Sequence, residues 1–217
     1  MLTHDNELLY FADPMCSWCW GFLPSAKRLA ERYGDRAPLS LVMGGLHCGT
    51  QVPLEDGMKE RIRGHWARVH EVTGQPFDEA FFERASFVYD TEPSCRAVVA
   101  ARRVAPECAL PVLERLHQAF YAENRDITDE GTLVALVAEH LGLSEARFGE
   151  IYDAEETLLE TYGDFELARE LGVRGFPTLI ARKDCSLEVL TQGFAPLPQV
   201  EGPLAVWLDE EEPAAPG

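Results

Sequence analysis

Two thiols at the junction of a strand and a helix constrain this chain more than any other feature. Leu8-Leu9-Tyr10-Phe11-Ala12 is an apolar run short enough for one buried strand, and Asp13-Pro14-Met15 breaks it. Cys16-Ser17-Trp18-Cys19 follows, and then a helical pattern begins. A cysteine at a helix start sits among unsatisfied backbone N–H groups and the positive end of the helix dipole, which favour a thiolate. Its pKa is expected below the value of a free thiol, about 8.5. Cys16 is therefore the expected nucleophile. Cys19, one turn further in, is placed to resolve a mixed disulfide by attacking the Cys16 sulfur. Zinc is the rival use of such a pair, but it needs two more closely spaced ligands. The nearest, His47-Cys48, are adjacent and would point to opposite sides of an extended chain. No metal is expected.

The chain of 217 residues suits one large domain or a domain with an insertion. Acidic residues number 37 against 19 Lys plus Arg, a net charge of −18. That surface lacks the basic footprint of nucleic-acid binding and would be repelled by anionic membranes. Met1 to Glu7 carries no basic stretch of a secretory leader, and no segment approaches a membrane span. A cytoplasmic location is expected, with Cys48, Cys95, Cys108 and Cys185 as free thiols.

Ser17 to Tyr33 predicts a helix kinked by Pro24, and Leu39 to Met43 a second strand, parallel to the first through a right-handed crossover. From Pro53 to Leu171 the pattern is helical. Pro53 sits as a first helical residue, followed by segments at Asp78–Glu83, Pro93–Val104, Pro111–Ala122, Thr128–Leu141, a helix capped by Ser144, and Thr157–Leu171. Thr178–Arg182 and Leu187–Thr191, joined through a turn at Lys183-Asp184, form a hairpin, and Leu197–Leu208 a last helix. The order is β-α-β, helices, β-β-α. Gly172-Val173-Arg174-Gly175-Phe176-Pro177-Thr178 leads into the hairpin, and from local sequence alone Pro177 could be cis or an ordinary turn proline.

The paired cysteines, Pro24 beyond them and Arg174-Gly175-Phe176-Pro177-Thr178 before the hairpin resemble the thioredoxin superfamily, and the helical insertion resembles its DsbA-like branch. More narrowly, Asp13 to Gly21, Met43-Gly44-Gly45-Leu46 and Thr91 to Ala97 resemble cytoplasmic bacterial DsbA-family proteins classed as protein-disulfide (dithiol–disulfide) isomerases. The fold class implied is α/β. Residues 1–50 and 172–209 form a discontinuous thioredoxin-like domain, 51–171 an all-helical insertion and 210–217 a disordered tail. The resemblance implies a thiol–disulfide oxidoreductase or isomerase acting on protein or small thiol and disulfide substrates. No cofactor is implied beyond glutathione as a redox partner. Pro177 would be cis against Cys16, keeping metals off the thiols and holding substrate backbone, with Phe176 beside it.

One departure matters. Related proteins carry a buried acid on the first strand, six residues before the first cysteine, and here that residue is Tyr10. Asp13 is expected at the strand's exposed end, forming a turn with Pro14. Trp18 is expected to contact substrate and Trp20 to lie in the core. Thr91-Glu92-Pro93 is expected to cap its helix, and Cys48 to serve its loop. Cys95 and Cys108 would lie about 20 Å apart along one helix, too far for a disulfide. His117 and the remaining histidines show no ligand spacing. Two rivals share the fold: glutathione-dependent isomerases with kappa-class transferases, and adaptors that deliver a transcription factor to a cytoplasmic protease.

Overall fold

The computed structural model describes residues 6–209; the tail expected at 210–217 lies outside them. Four strands form one sheet in the order β2-β1-β3-β4: β1 (Asn6–Ala12), β2 (Leu39–Met43), β3 (Thr178–Lys183) and β4 (Ser186–Gln192). β1 pairs in parallel with β2 and antiparallel with β3, as a central strand must when both its neighbours are needed to satisfy its backbone. Its alternation decides the layers. Leu8, Tyr10 and Ala12 face the main core, while Leu9 and Phe11 face a second, smaller one.

The helix α1 (Ser17–Tyr33) packs in the main core with Cys19, Phe22, Leu23, Ala26 and Leu29 buried. Pro24 lies within it, as the sequence predicts. The helical segment follows: α2 (Asp56–Thr73), a 3-10 turn at Glu79–Glu83, α3 (Glu92–Val104), α4 (Ala109–His117), α5 (Glu130–Leu141), α6 (Glu145–Tyr152) and α7 (Glu155–Glu170). α8 (Leu197–Asp209) closes the chain beside β4. α7 does more than continue the insertion. Leu167, Ala168 and Leu171 cover the second face of the sheet against Leu9, Phe11, Val42 and Ile180.

The edge of β2 is capped by the insertion. Asp164 on α7 accepts the Met43 N–H at 2.9 Å, and Arg102 on α3 donates to the Leu41 carbonyl at 2.9 Å. Arg102 and Asp164 also pair with each other at 2.9 and 3.1 Å. Two backbone groups of the β2 edge are thus taken up by the insertion.

Three expectations are corrected. α2 begins at Asp56, and Pro53 instead pairs with Val88 in an antiparallel bridge, with the Leu54 N–H donating to the Phe87 carbonyl at 2.8 Å. Extended pairing holds those residues out of a helix. The helix expected over Pro111–Ala122 starts at Ala109 and loosens into a π-type turn at Gln118–Ala122. The hairpin turn is Asp184-Cys185 rather than Lys183-Asp184, because β3 runs through Lys183 and Asp184 takes the left-handed conformation at φ 48°.

Candidate dithiol active site

Cys16 is the N-cap of α1, with extended backbone at φ −93° and ψ 110°. Its N–H donates to the Asp13 carbonyl at 3.0 Å, and its own carbonyl accepts from Cys19 and Trp20 at 3.0 and 3.1 Å. That bond set aims its side chain out of the helix end and across to the loop before β3. The Phe176–Pro177 bond is cis, and the Cys16 thiol donates to the Phe176 carbonyl at 3.4 Å. Pro177 is buried and Phe176 half-buried. The tip of the Phe176 ring occupies the place of a side chain at Gly44, where an added Cβ would meet three ring atoms at 2.2–2.7 Å. The glycine lets the ring hold that loop against the end of β2.

The sequence-predicted residues Cys16, Cys19, Phe176 and Pro177 therefore converge, although 160 residues separate Cys16 from Phe176. Trp18 stands apart from that contact, half-buried, with its ring 5.3 Å from Phe194 after β4. Trp20 is core, as expected, and its indole N–H donates to the Pro76 carbonyl at 3.1 Å. All six cysteines are free thiols, Cys95 and Cys108 among them.

Cys19 is fully buried, and burial pushes its thiol well above the ordinary cysteine value, with the neighbouring Cys16 sulfur adding to the rise. Tyr10 fills the space of the missing acid. Its phenol is buried beside Cys19, and burial first, then the two cysteine sulfurs, push it up as well. It stays neutral and uncharged beneath the dithiol.

Asp13 is where the structure departs furthest from expectation. It is not at an exposed strand end but wholly buried. The turn role holds, since its carboxylate accepts the Met15 N–H at 2.8 Å. It also accepts the Leu46 N–H at 2.7 Å and the Cys95 thiol at 3.5 Å. Burial raises its pKa, and the two backbone N–H bonds oppose that rise. The carboxylate thus ties the cysteine loop to the loop after β2 and to α3.

The helical segment grips the same peptide from below. His117 at the end of α4 places Nε2 3.2 Å from the Asp13 carbonyl, and the Tyr89 hydroxyl donates to the Met15 carbonyl at 2.6 Å. Thr91 does not cap α3 with its side chain; its hydroxyl instead accepts the His47 N–H at 3.2 Å, while Asp90 accepts the Glu92 N–H at 3.1 Å. Capping passes to the residue before, which frees Thr91 to hold the loop carrying Leu46 and His47. Cys48 in that loop is part-exposed, and burial raises its thiol.

His117, Tyr89 and Cys95 were not legible as site residues. Each acts on backbone carbonyls or on one carboxylate, and such partners leave no spacing in a sequence. Asp13 carried a signal in the Asp-Pro break, but not its depth.

His117 also sets an acid limit on stability. Burial holds its imidazole down to about 4, against 6.5 when exposed. Between those values the unfolded chain binds a proton that the folded one refuses, so stability present above pH 6.5 is lost as pH falls toward 4. The loss is expected to reach about 3 kcal/mol. Urea unfolding of the wild type and of His117→Gln, which keeps an N–H donor for Asp13, measures it. The variant should be flatter over that window; equal slopes would remove His117 as the cause.

Among the described residues no group of three or more His, Cys, Asp or Glu side chains is placed to hold a metal. No helix among them is long and apolar enough to cross a membrane.

A strand–CxxC–helix unit facing a cis proline, with helices inserted between the two halves of the sheet, defines a DsbA-like thioredoxin domain. The chain belongs to that family: the model described as "DSBA-like thioredoxin domain" matches residues 7–204. A crystal structure described as "a putative protein disulfide isomerase from Nitrosomonas europaea" is 34% identical, covering 95% of this chain and 98% of that one, with a TM-score of 0.89. The cytosolic disulfide reductase DsbM from Pseudomonas aeruginosa is 29% identical over 94% of this chain and 99% of its own, with a TM-score of 0.77, and has also been solved with GSH. Among curated relatives, the ClpXP adapter protein SpxH of Bacillus licheniformis is 25% identical over 80% of this chain. The chain spans 56–59% of the length of the curated SpxH relatives it matches.

Proposed function

We propose that this protein is a cytoplasmic thiol–disulfide oxidoreductase that reduces or rearranges disulfides in peptide and small-thiol substrates. The observation that carries the reading is the 3.4 Å contact from the Cys16 thiol to the carbonyl before cis-Pro177, with Cys19 buried one turn behind. The Cys16 thiolate attacks one sulfur of a substrate disulfide, forms a mixed disulfide and releases the other sulfur as a thiolate. The substrate backbone lies along Phe176 and Pro177.

The order of the two thiols follows from electrostatics. While Cys16 is free, its sulfur helps to keep the Cys19 proton in place. Once Cys16 is bonded to substrate that repulsion is gone, so Cys19 loses its proton more readily and attacks the Cys16 sulfur. The second substrate sulfur leaves as a thiol and the Cys16–Cys19 disulfide forms. Two molecules of glutathione return the pair to dithiol and leave as glutathione disulfide. The DsbM structure solved with GSH supports glutathione in that role.

Cys19→Ser tests the scheme. Incubated with a peptide disulfide, it should accumulate a covalent adduct on Cys16 that intact-mass spectrometry detects and dithiothreitol removes. No adduct at any substrate concentration would overturn it.

A second reading rests on the SpxH relatives, which are named as adapters. On that reading the interface does the work and the dithiol is dispensable. Capture of a partner that survives replacement of both cysteines by alanine favours it.

A further inference from the structure

β1 carries a polar atom stranded under the dithiol. Tyr10 pairs with Leu41 on one side and Leu179 on the other, so its backbone is fixed at the centre of the sheet. The alternation of β1 turns its side chain into the main core, toward α1. There its ring packs on Phe22 at 5.7 Å, one turn beyond Cys19. Tyr10, Phe22 and Cys19 are all fully buried. The Tyr10 hydroxyl forms no hydrogen bond in the dithiol state. Buried phenols usually find a partner, because an unpaired hydroxyl away from water is costly.

The hydroxyl faces the inner thiol. The titratable groups that bear on it are Cys19 and Cys16, and Cys19 is the one that meets it side chain to side chain. Cys19 itself is pressed by the Cys16 sulfur and the Asp13 carboxylate, which keep its proton in place, while the Asp13 backbone N–H favours its thiolate. The neighbours behind them have other work. Tyr89 gives its hydroxyl to the Met15 carbonyl, and His117, neutral above about pH 4, ends on the Asp13 carbonyl. Tyr89 and Tyr121 feel the charge of Cys16 and Asp13 rather than that of Cys19. Tyr10 thus holds an unused donor beside the sulfur that must ionise second.

We infer that Tyr10 donates its hydroxyl to the Cys19 thiolate once Cys16 is bonded to substrate, and so stabilises the nucleophile of the second step. The inference rests on the proposed thiol–disulfide activity and deepens it by naming the group that serves the inner thiol. The donor is needed in that state alone. While Cys16 is free, Cys19 keeps its proton and the hydroxyl is idle. In the mixed disulfide the Cys19 proton passes to solvent, and its sulfur becomes the acceptor that the hydroxyl lacks. The Cys19 sulfur then attacks the Cys16 sulfur, the bond from Cys16 to substrate breaks, and the substrate sulfur leaves as a thiolate that takes up a proton from solvent. The cysteine pair is oxidised and the substrate disulfide reduced. Tyr10 keeps its own proton throughout, since burial and the two cysteines push its ionisation up. A carboxylate in this place could accept the Cys19 proton; a phenol so hard to ionise only donates. The second step therefore follows the Cys19 thiolate population and rises with pH.

Tyr10→Phe tests this, because it keeps the ring on Phe22 and removes the hydroxyl. Reduced wild type and variant are mixed with a peptide disulfide, quenched in acid at intervals and weighed intact, which reads decay of the Cys16 adduct apart from its formation. Loss of a hydrogen bond to an ionised group moves its titration up by about one unit. The Cys19 thiolate is then about tenfold scarcer at neutral pH, offset about threefold by the greater nucleophilicity of a weaker acid's thiolate. Adduct decay in the variant is expected to be about threefold slower at neutral pH, with the gap closing toward about pH 10. Equal decay throughout, or a constant gap that never closes, overturns the inference; the constant gap would mark a packing defect. The urea midpoint of the dithiol form should be unchanged or higher in the variant, since the hydroxyl has no partner there, and a lower midpoint also overturns it. A second arm needs no exchange. Cys16→Ala removes the sulfur's charge, as the mixed disulfide does, and ultraviolet thiolate absorbance is followed against pH with and without Tyr10→Phe. Cys48, Cys95, Cys108 and Cys185 are common to both proteins and cancel. The Cys19 step should lie about one unit higher without the hydroxyl, and an unmoved step overturns the inference. If no adduct forms in either protein the proposed activity falls, while a moved Cys19 step leaves the role of Tyr10 standing.

Discussion

Cys16→Ser is expected to lower kcat/KM for disulfide exchange by about a thousandfold or more, the scale of losing a nucleophile. The reason is local. Cys16 is the only dithiol sulfur that reaches the cis-proline loop, through its 3.4 Å contact with the Phe176 carbonyl. Cys19 is fully buried, its thiol is held protonated, and no substrate sulfur can approach it first. A serine hydroxyl keeps the shape and the contact with Phe176 but ionises too weakly to attack. Reduction of a peptide disulfide in the presence of glutathione is the assay. Cys185→Ser serves as the comparison, since Cys185 is an exposed thiol in the turn between β3 and β4. Retention of a tenth or more of the activity by Cys16→Ser would sink the assignment of the nucleophile.

Asp13→Ala is expected to destabilise the fold by about 3–5 kcal/mol, because it strands the donors that now converge on one carboxylate. The Met15 and Leu46 N–H groups and the Cys95 thiol all lose their acceptor together. Domains of this size are stable by only about 5–15 kcal/mol, so the loss is a large share. Asp13→Asn keeps one carbonyl acceptor and no charge, and should cost roughly half as much. Equilibrium unfolding in urea gives both values. A loss under about 1 kcal/mol for Asp13→Ala would mean that water replaces the carboxylate at each donor.

The contrast between these two residues marks what could be read from the chain. Cys16 and Cys19 announce themselves through spacing at a strand–helix junction, and α1, β2 and, to within one or two residues, β1 and the two hairpin strands follow from short apolar runs between clear breaks. Those signals are local. Asp13 sits at a break too, but its other partners come from 33 and 82 residues away. A carboxylate that satisfies distant backbone donors looks, in sequence, like any turn-forming aspartate. His117 is more hidden still, since its partner is a main-chain carbonyl 104 residues earlier. Pro53 misled for the same reason. Its fitness for a helix start is intrinsic, but the pairing of Pro53 with Val88 is tertiary and overrides it. Thr91 does hold the N-cap position of α3, but its hydroxyl serves the His47 N–H of a distant loop rather than the helix.

The position of β1 between a strand made soon after it and one made near the end of the chain has a consequence for synthesis. β1, the cysteine loop, α1 and β2 can meet early, for their contacts are close in sequence. β3 pairs with β1 only after every intervening helix has been made. A growing chain therefore displays both thiols before the loop of Phe176 and Pro177 exists to cover them. Through most of translation the dithiol is an unguarded pair, open to any oxidant or metal it meets. The thiol pair is therefore most exposed while the chain is still being made, before its last strands are in place.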